Sequence, residues 1–146
     1  MRLKGYDYSN PAPCLVTFCT ADKKPVLCGK LAHAIQEHLK SAALRWGFRL
    51  WAWCIMPDHV HLVVGAPGTD RTVSDFVGAV KSLAAKANRD MGGPGGLWQT
   101  GFHDRILRPT ERPEVIAAYI VGNPVRKGLI RDGERWPWAY LDPDAL

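Results

Sequence analysis

His59-Val60-His61-Leu62-Val63-Val64 is the stretch whose reading decides the fold. Side chains on a strand alternate between its faces, so His59, His61 and Val63 share one side and Val60, Leu62 and Val64 the other. The valine-leucine side calls for an apolar layer packed against it. The histidines then point from the opposite face, the one that layer leaves open. Two imidazoles at this spacing can converge on one divalent cation. Strands also carry such pairs for purely structural reasons, and the pair alone does not choose between the two.

Working outward, Met56-Pro57-Asp58 reads as a tight turn, with Pro57 fixing φ at its second position. Residues 48–56 before it form a strand antiparallel to residues 59–66. Residues 14–20 are rich in β-formers and predict the first strand. Between these strands, Leu31, Ile35, Leu39, Ala42, Ala43 and Trp46 recur at helical spacing, and Gly47 ends the helix. Downstream, residues 70–87 predict a second helix with Val73, Phe76, Val77, Val80, Leu83, Ala84 and Ala87 on one stripe. Met91-Gly-Gly-Pro-Gly-Gly96 reads as a mobile loop. Residues 102–107 predict a fourth short strand. Residues 113–122 predict a third helix, opened by Pro113 and closed before Pro124. The order β-α-β-β-α-β plus a helix is an α+β, ferredoxin-like plan with an antiparallel sheet. One domain is expected over residues 1–146.

The chain has 146 residues, 47% hydrophobic and 23% charged, which argues against a disordered or fibrous class. Its longest apolar run, residues 50–56, is far short of the roughly 20 residues a membrane span needs. Met1-Arg-Leu-Lys-Gly-Tyr6 has no apolar stretch behind its charges, so no signal peptide, no membrane partner and a cytoplasmic location are expected. Nineteen basic against 14 acidic residues give a formal charge of +5, a mild bias towards polyanions. Cys14, Cys19, Cys28 and Cys54 contain no C-x-x-C pair and read as reduced, mostly buried thiols. His33 and His38 fall on the first helix as surface residues.

A second constellation is Tyr119-Ile-Val-Gly-Asn123. Its ends are four residues apart and could share a helix face. A tyrosine can be a covalent nucleophile, and an amide oxygen can bind a hard cation. The plainer alternative is a tyrosine packing on the sheet and an asparagine capping the helix. Because Asn123 precedes Pro124, it is expected to be pushed off helical geometry.

Four blocks together resemble one family. Trp53-Cys-Ile-Met-Pro-Asp-His-Val-His-Leu-Val-Val64 resembles the signature of the HUH single-tyrosine transposases. Tyr119-Ile-Val-Gly-Asn-Pro-Val-Arg-Lys-Gly-Leu-Ile130, Leu97-Trp-Gln-Thr-Gly-Phe-His-Asp104 and Trp136-Pro-Trp138 are similar to blocks of its REP-associated branch. The resemblance implies a ferredoxin-like endonuclease and strand transferase acting on single-stranded or hairpin DNA through a 5′-phosphotyrosine. It implies Tyr119 as nucleophile and His59, His61 and Asn123 as ligands of Mg²⁺ or Mn²⁺. Asp58 departs from the family's usual Asn, leaving open whether it joins the metal or only closes the turn. Trp-Ala-Tyr140 replaces the final Trp-Ser-Ser of the branch. The family works either as a monomer or as a homodimer.

DNA contacts are expected from Lys81, Lys86 and Arg89 on the second helix, and from Arg105, Arg108, Arg126, Lys127 and Arg131 near the site. Trp98 or Phe102 could stack on bases, while His103 and Asp104 read as residues that orient the fourth strand. Two other classes fit less well. A histidine-triad hydrolase would need a histidine where Val63 stands. An RNA platform would need exposed rings on central strands, for which Trp51 and Trp53 are the candidates. A domesticated relative that binds hairpins without transposing is the main alternative within the family.

Overall fold

The computed structural model describes residues 12–65 and 71–145; Tyr6, Tyr8 and Asp70 lie outside these. The elements are β1 (Pro13–Cys19), α1 (Gly29–Trp46), β2 (Arg49–Met56), β3 (His59–Gly65), α2 (Val73–Asp90) and β4 (His103–Ile106). They are followed by α3 (Pro113–Val121), α4 (Asn123–Arg126) and β5 (Ala139–Leu141). The sheet order is β4-β1-β3-β2-β5, with every neighbouring pair antiparallel. The first six elements follow the ferredoxin-like expectation.

Local chemistry sets the joints. Gly47 closes α1 in the left-handed region at φ 75°, where only glycine sits without strain. Thr72 and Asp75 exchange side-chain and backbone hydrogen bonds at the start of α2, a capping box. Such a cap contributes about 1 kcal/mol.

The two faces of the sheet divide as alternation predicts. Val60, Leu62 and Val64 are fully buried with Val16, Phe18 and Ile55 beneath Ile35 and Leu39 of α1 and Phe76 and Val80 of α2. The other face is not left open along its whole length. α3 covers part of it, burying Ala117 and Ile120 against Trp51, Ala52, Val63 and Leu107.

Five sequence expectations are corrected. Asn123 is not pushed off helical geometry: Gly122 stays right-handed at φ −79° and ψ −3°, and Asn123 opens α4. Pro124 sits in the first turn of that helix, where a missing N–H forfeits no bond. The glycine-rich loop is held rather than loose. The Asn88 side chain donates to the Pro94 carbonyl at 2.8 Å, and Gly93 N–H donates to the Asn88 carbonyl at 2.8 Å. A Cβ at Gly93 would stand 2.2 Å from Asn88 Oδ1, so glycine there serves close packing.

The tail adds a strand, β5, that local pattern did not announce. Tyr140 stacks on Trp53 with ring centroids 4.5 Å apart. Trp136 donates its indole N–H to the Ile55 carbonyl at 2.9 Å. Leu83 is 41% exposed and falls off the apolar stripe of α2. Of the four thiols, Cys14 and Cys54 are buried, Cys19 is half-buried and Cys28 is exposed. Among the described residues, no helix is long and apolar enough to cross a membrane.

Candidate active site

β3 places His59 and His61 with ring centroids 4.5 Å apart and planes at 79°. Across the sheet, His59 pairs with Cys19 and Met56, and His61 with Thr17 and Cys54. Each imidazole has its Nδ1 engaged. Asp58 Oδ1 lies 2.6 Å from His59 Nδ1, and Thr17 Oγ1 lies 2.8 Å from His61 Nδ1. A carboxylate only accepts, so His59 Nδ1 carries the hydrogen of this bond. Thr17 can accept from His61 in the same way. Burial, reinforced by the neighbouring charges of His59 and Arg126, pushes the His61 pKa down to about 4. That ring is therefore neutral near pH 7, the form that can bind a metal.

Asp58 thus holds the His59 ring through Nδ1 and fixes its angle. Thr17 does the same for His61. Sequence reasoning singled out neither role, although β-alternation from the buried Val16 and Phe18 would have put Thr17 on the histidine face.

The second wall comes from α3 and α4. Tyr119 is 63% exposed although its neighbour Ile120 is buried. Because Gly122 remains helical, Tyr119 and Asn123 stay one turn apart on one side. Both line a groove of about 210 Å³ with His61, Leu15, Arg105, Ile116, Ile120 and Arg126. The Arg126 guanidinium carbon sits 3.8 Å from the Tyr119 ring centroid. Its Nη2 donates to the Tyr119 carbonyl and, at 3.2 Å, to Asn123 Oδ1. Arginine only donates, so the oxygen of the Asn123 carboxamide must face it.

Among the described residues, no group of three or more His, Cys, Asp and Glu side chains could hold a metal. A cation here would take two imidazole nitrogens and an amide oxygen. That mixed donor set fits a divalent ion such as Mg²⁺ or Mn²⁺.

The expected basic residues divide. Arg105 lines the groove but forks onto Glu111 at 2.6 and 3.0 Å. That pair, with the Arg108 N–H, lowers the Glu111 pKa to about 2. Arg108, Lys127 and Arg131 are exposed. Lys81, Lys86 and Arg89 lie on α2, which packs on the sheet face opposite the histidines, so the structure does not bring them to the groove. Lys81 Nζ donates to the Gln99 and Gly101 carbonyls at 2.9 and 2.8 Å, pinning the loop into β4. Lys86 pairs with Asp90 at 2.8 Å.

Trp98 packs edge-on against Phe18 at 5.0 Å and donates to the Lys81 carbonyl, which commits its ring to the core. Phe102 is half-buried on the same core. His103 pairs with Thr17 across β1 and β4 and so joins the histidine face, while Asp104 pairs with Val16 and takes the other. His33 is exposed and His38 half-buried on α1. Trp51 and Trp53 are 9% and 2% exposed, too buried to stack bases as an RNA platform would.

Residues 14–123 match the family described as Transposase IS200 like. The chain is 27% identical over 97 residues to the REP-associated tyrosine transposase of Escherichia coli K12, covering 66% of this chain and 56% of that one. It is 30% identical over 83 residues to the ISDra2 transposase TnpA of Deinococcus radiodurans, covering 57% and 59%. A Haemophilus influenzae candidate for the REP-associated group is 25% identical over 115 residues, covering 72% and 65%. The chain thus spans between 56% and 65% of the length of these relatives. A solved structure of a REP-associated tyrosine transposase bound to a REP hairpin superposes with TM-score 0.74 over 95% of this chain and 82% of that one. At 20% identity that likeness concerns the fold.

Proposed function

The chain belongs to the IS200-like transposase family, and from that premise we propose that it is a metal-dependent DNA nicking and joining enzyme. Its substrate is single-stranded or hairpin DNA, and Tyr119 is its nucleophile. The observation that carries this reading is the shared groove. Tyr119, Asn123 and Arg126 line it from the helices and His61 from the sheet, with the His59 ring against that of His61.

A phosphodiester is anionic and repels nucleophiles. A divalent cation held by His59, His61 and Asn123 would supply charge to polarise and orient the scissile phosphate. Asp58 and Thr17 keep the two imidazoles turned with Nε2 outward. α3 seats Tyr119 through the buried Ala117 and Ile120, leaving its ring exposed to meet a strand. Tyr119 Oη gives up its proton and forms a bond to phosphorus. The P–O3′ bond breaks, and the departing oxygen gains a proton to become a free 3′-OH. The protein is left on the 5′ phosphate. Attack by another 3′-OH reverses the same exchange at a new junction, with no external energy source.

Exposed Arg108, Lys127 and Arg131 supply counter-charge for the DNA backbone. Incubating the chain with labelled oligonucleotides and Mn²⁺ tests the reading. Covalent adducts should form on single-stranded or hairpin DNA, joined to the 5′ phosphate at the break, and vanish in Tyr119→Phe. Efficient cutting of plain duplex, or adducts on a 3′ phosphate, would contradict it.

A further inference from the structure

We propose that Arg126 is a further catalytic residue: its guanidinium receives the scissile phosphate beside Tyr119 while it holds the Asn123 carboxamide in register. The proposal rests on the nicking reading above and adds to it a specific phosphate receptor.

Three observations converge on this side chain. The guanidinium carbon lies over the ring of the proposed nucleophile, 3.8 Å from its centroid. Among the described residues, Nη2 alone is engaged, on the Tyr119 carbonyl and Asn123 Oδ1. Nε and Nη1 make no hydrogen bond among the described residues, so donors remain for an anion, although the fork must turn to present them. The third observation is Gly122. A Cβ there would stand 2.8 Å from Arg126 Nη1, so a side chain at this position would shift the guanidinium from where it sits.

Comparison with the other groove arginine sharpens the assignment. Arg105 has both guanidinium ends on Glu111. Arg126 has no carboxylate partner among the described residues, and it shares the groove with His61 of β3. A cation that sits over the attacking ring and faces the histidine strand lies where negative charge grows as phosphorus gains a fifth ligand. Its bond to Asn123 uses one lone pair of the amide oxygen and leaves the other for a cation.

The test compares Arg126→Gln, Arg126→Lys and Gly122→Ala with the unaltered chain. Single-turnover adduct formation on a single-stranded oligonucleotide with Mn²⁺ is measured beside the salt dependence of binding in Tyr119→Phe backgrounds. Arg126→Gln should slow adduct formation by ~100-fold or more, as loss of a transition-state donor does. It should also reduce the salt slope of binding by about one, the signature of one lost phosphate contact. Arg126→Lys should recover the slope but little of the rate, since a point charge cannot hold the phosphate and the amide together. Gly122→Ala is compatible with its helical backbone and should keep the thermal midpoint while slowing adduct formation, which separates this role from a folding defect.

Adduct formation by Arg126→Gln within about threefold of the unaltered chain, with Tyr119→Phe inactive, would overturn the proposal. So would a slower rate with an unchanged salt slope. If the unaltered chain forms no adduct on any oligonucleotide, the nicking reading fails separately, and the slope alone decides: unchanged overturns the phosphate contact, reduced supports it.

Discussion

The two faces of β3 do opposite work from adjacent residues. Val60, Leu62 and Val64 are sealed under α1 and α2, and stability is concentrated there because apolar area leaves water completely. His59 and His61, one position away on either side of Val60 and Leu62, keep polar atoms near solvent with each Nδ1 held. Among the described residues, no buried side-chain nitrogen or oxygen lacks a partner, so the polar atoms this face does bury are satisfied. α3 repeats the division. Ile120 anchors it to the sheet, and Tyr119 beside it stands out at 63% exposure. The lesson is that a sheet sealed completely on one face can carry a polar, reactive constellation on the part of the other face that α3 does not bury against Val63.

The comparison breaks most severely at the core. Leu62→Ala should cost about 2–5 kcal/mol, because a sealed site cannot collapse around the missing atoms. A denaturant melt checks it, and a loss below 1 kcal/mol would mean that the helix-packed face is not the seat of stability. Next door, His61→Ala should change stability by only about 1 kcal/mol, the scale of its one hydrogen bond to Thr17, yet abolish adduct formation. A variant that unfolds would erase the distinction between the faces.

Smaller still, Asp58→Ala should weaken Mn²⁺ affinity by roughly 10–100-fold without removing a ligand, as loss of an orienting partner does. Titration calorimetry reads this directly, and an unchanged affinity would reduce Asp58 to a turn residue. The smallest effect concerns the thiols. Burial pushes Cys14 from its ordinary 9.0 up to about 11 and Cys54 up to about 12. In the unfolded chain these thiols ionise from about pH 9, while the folded chain keeps them protonated, so stability should decline as pH rises above 9. At pH 8, iodoacetamide should modify the exposed Cys28 first and leave Cys14 and Cys54 until denaturant is added.

Much of this division was legible before any coordinates. Alternation in residues 59–64 assigned the faces, and the 3.6 period of α1 and α2 supplied the layer to cover one of them. What escaped was set by tertiary partners. β5 is three residues long and has no pattern of its own; it forms because β2 offers an edge and Trp53 a ring for Tyr140. The glycine-rich loop looked loose because Asn88, which holds it, is outside the loop. Lys81, Lys86 and Arg89 showed a polar helix side, but nothing local tells which sheet face that side reaches. Asn123 looked displaced because the rule for residues before proline is a preference, which continuation of α3 into α4 overrides.

The central claim is that the histidine-bearing face of β3 holds a divalent cation through both histidines. Pulsed electron paramagnetic resonance on the chain loaded with Mn²⁺ tests it most directly, since the modulation counts coordinated imidazoles. The account predicts two imidazole nitrogens coupled to Mn²⁺ in the unaltered chain, one after either His59→Ala or His61→Ala, and none in the double variant. A spectrum with no imidazole coupling, or one that survives replacement of both histidines, would contradict it.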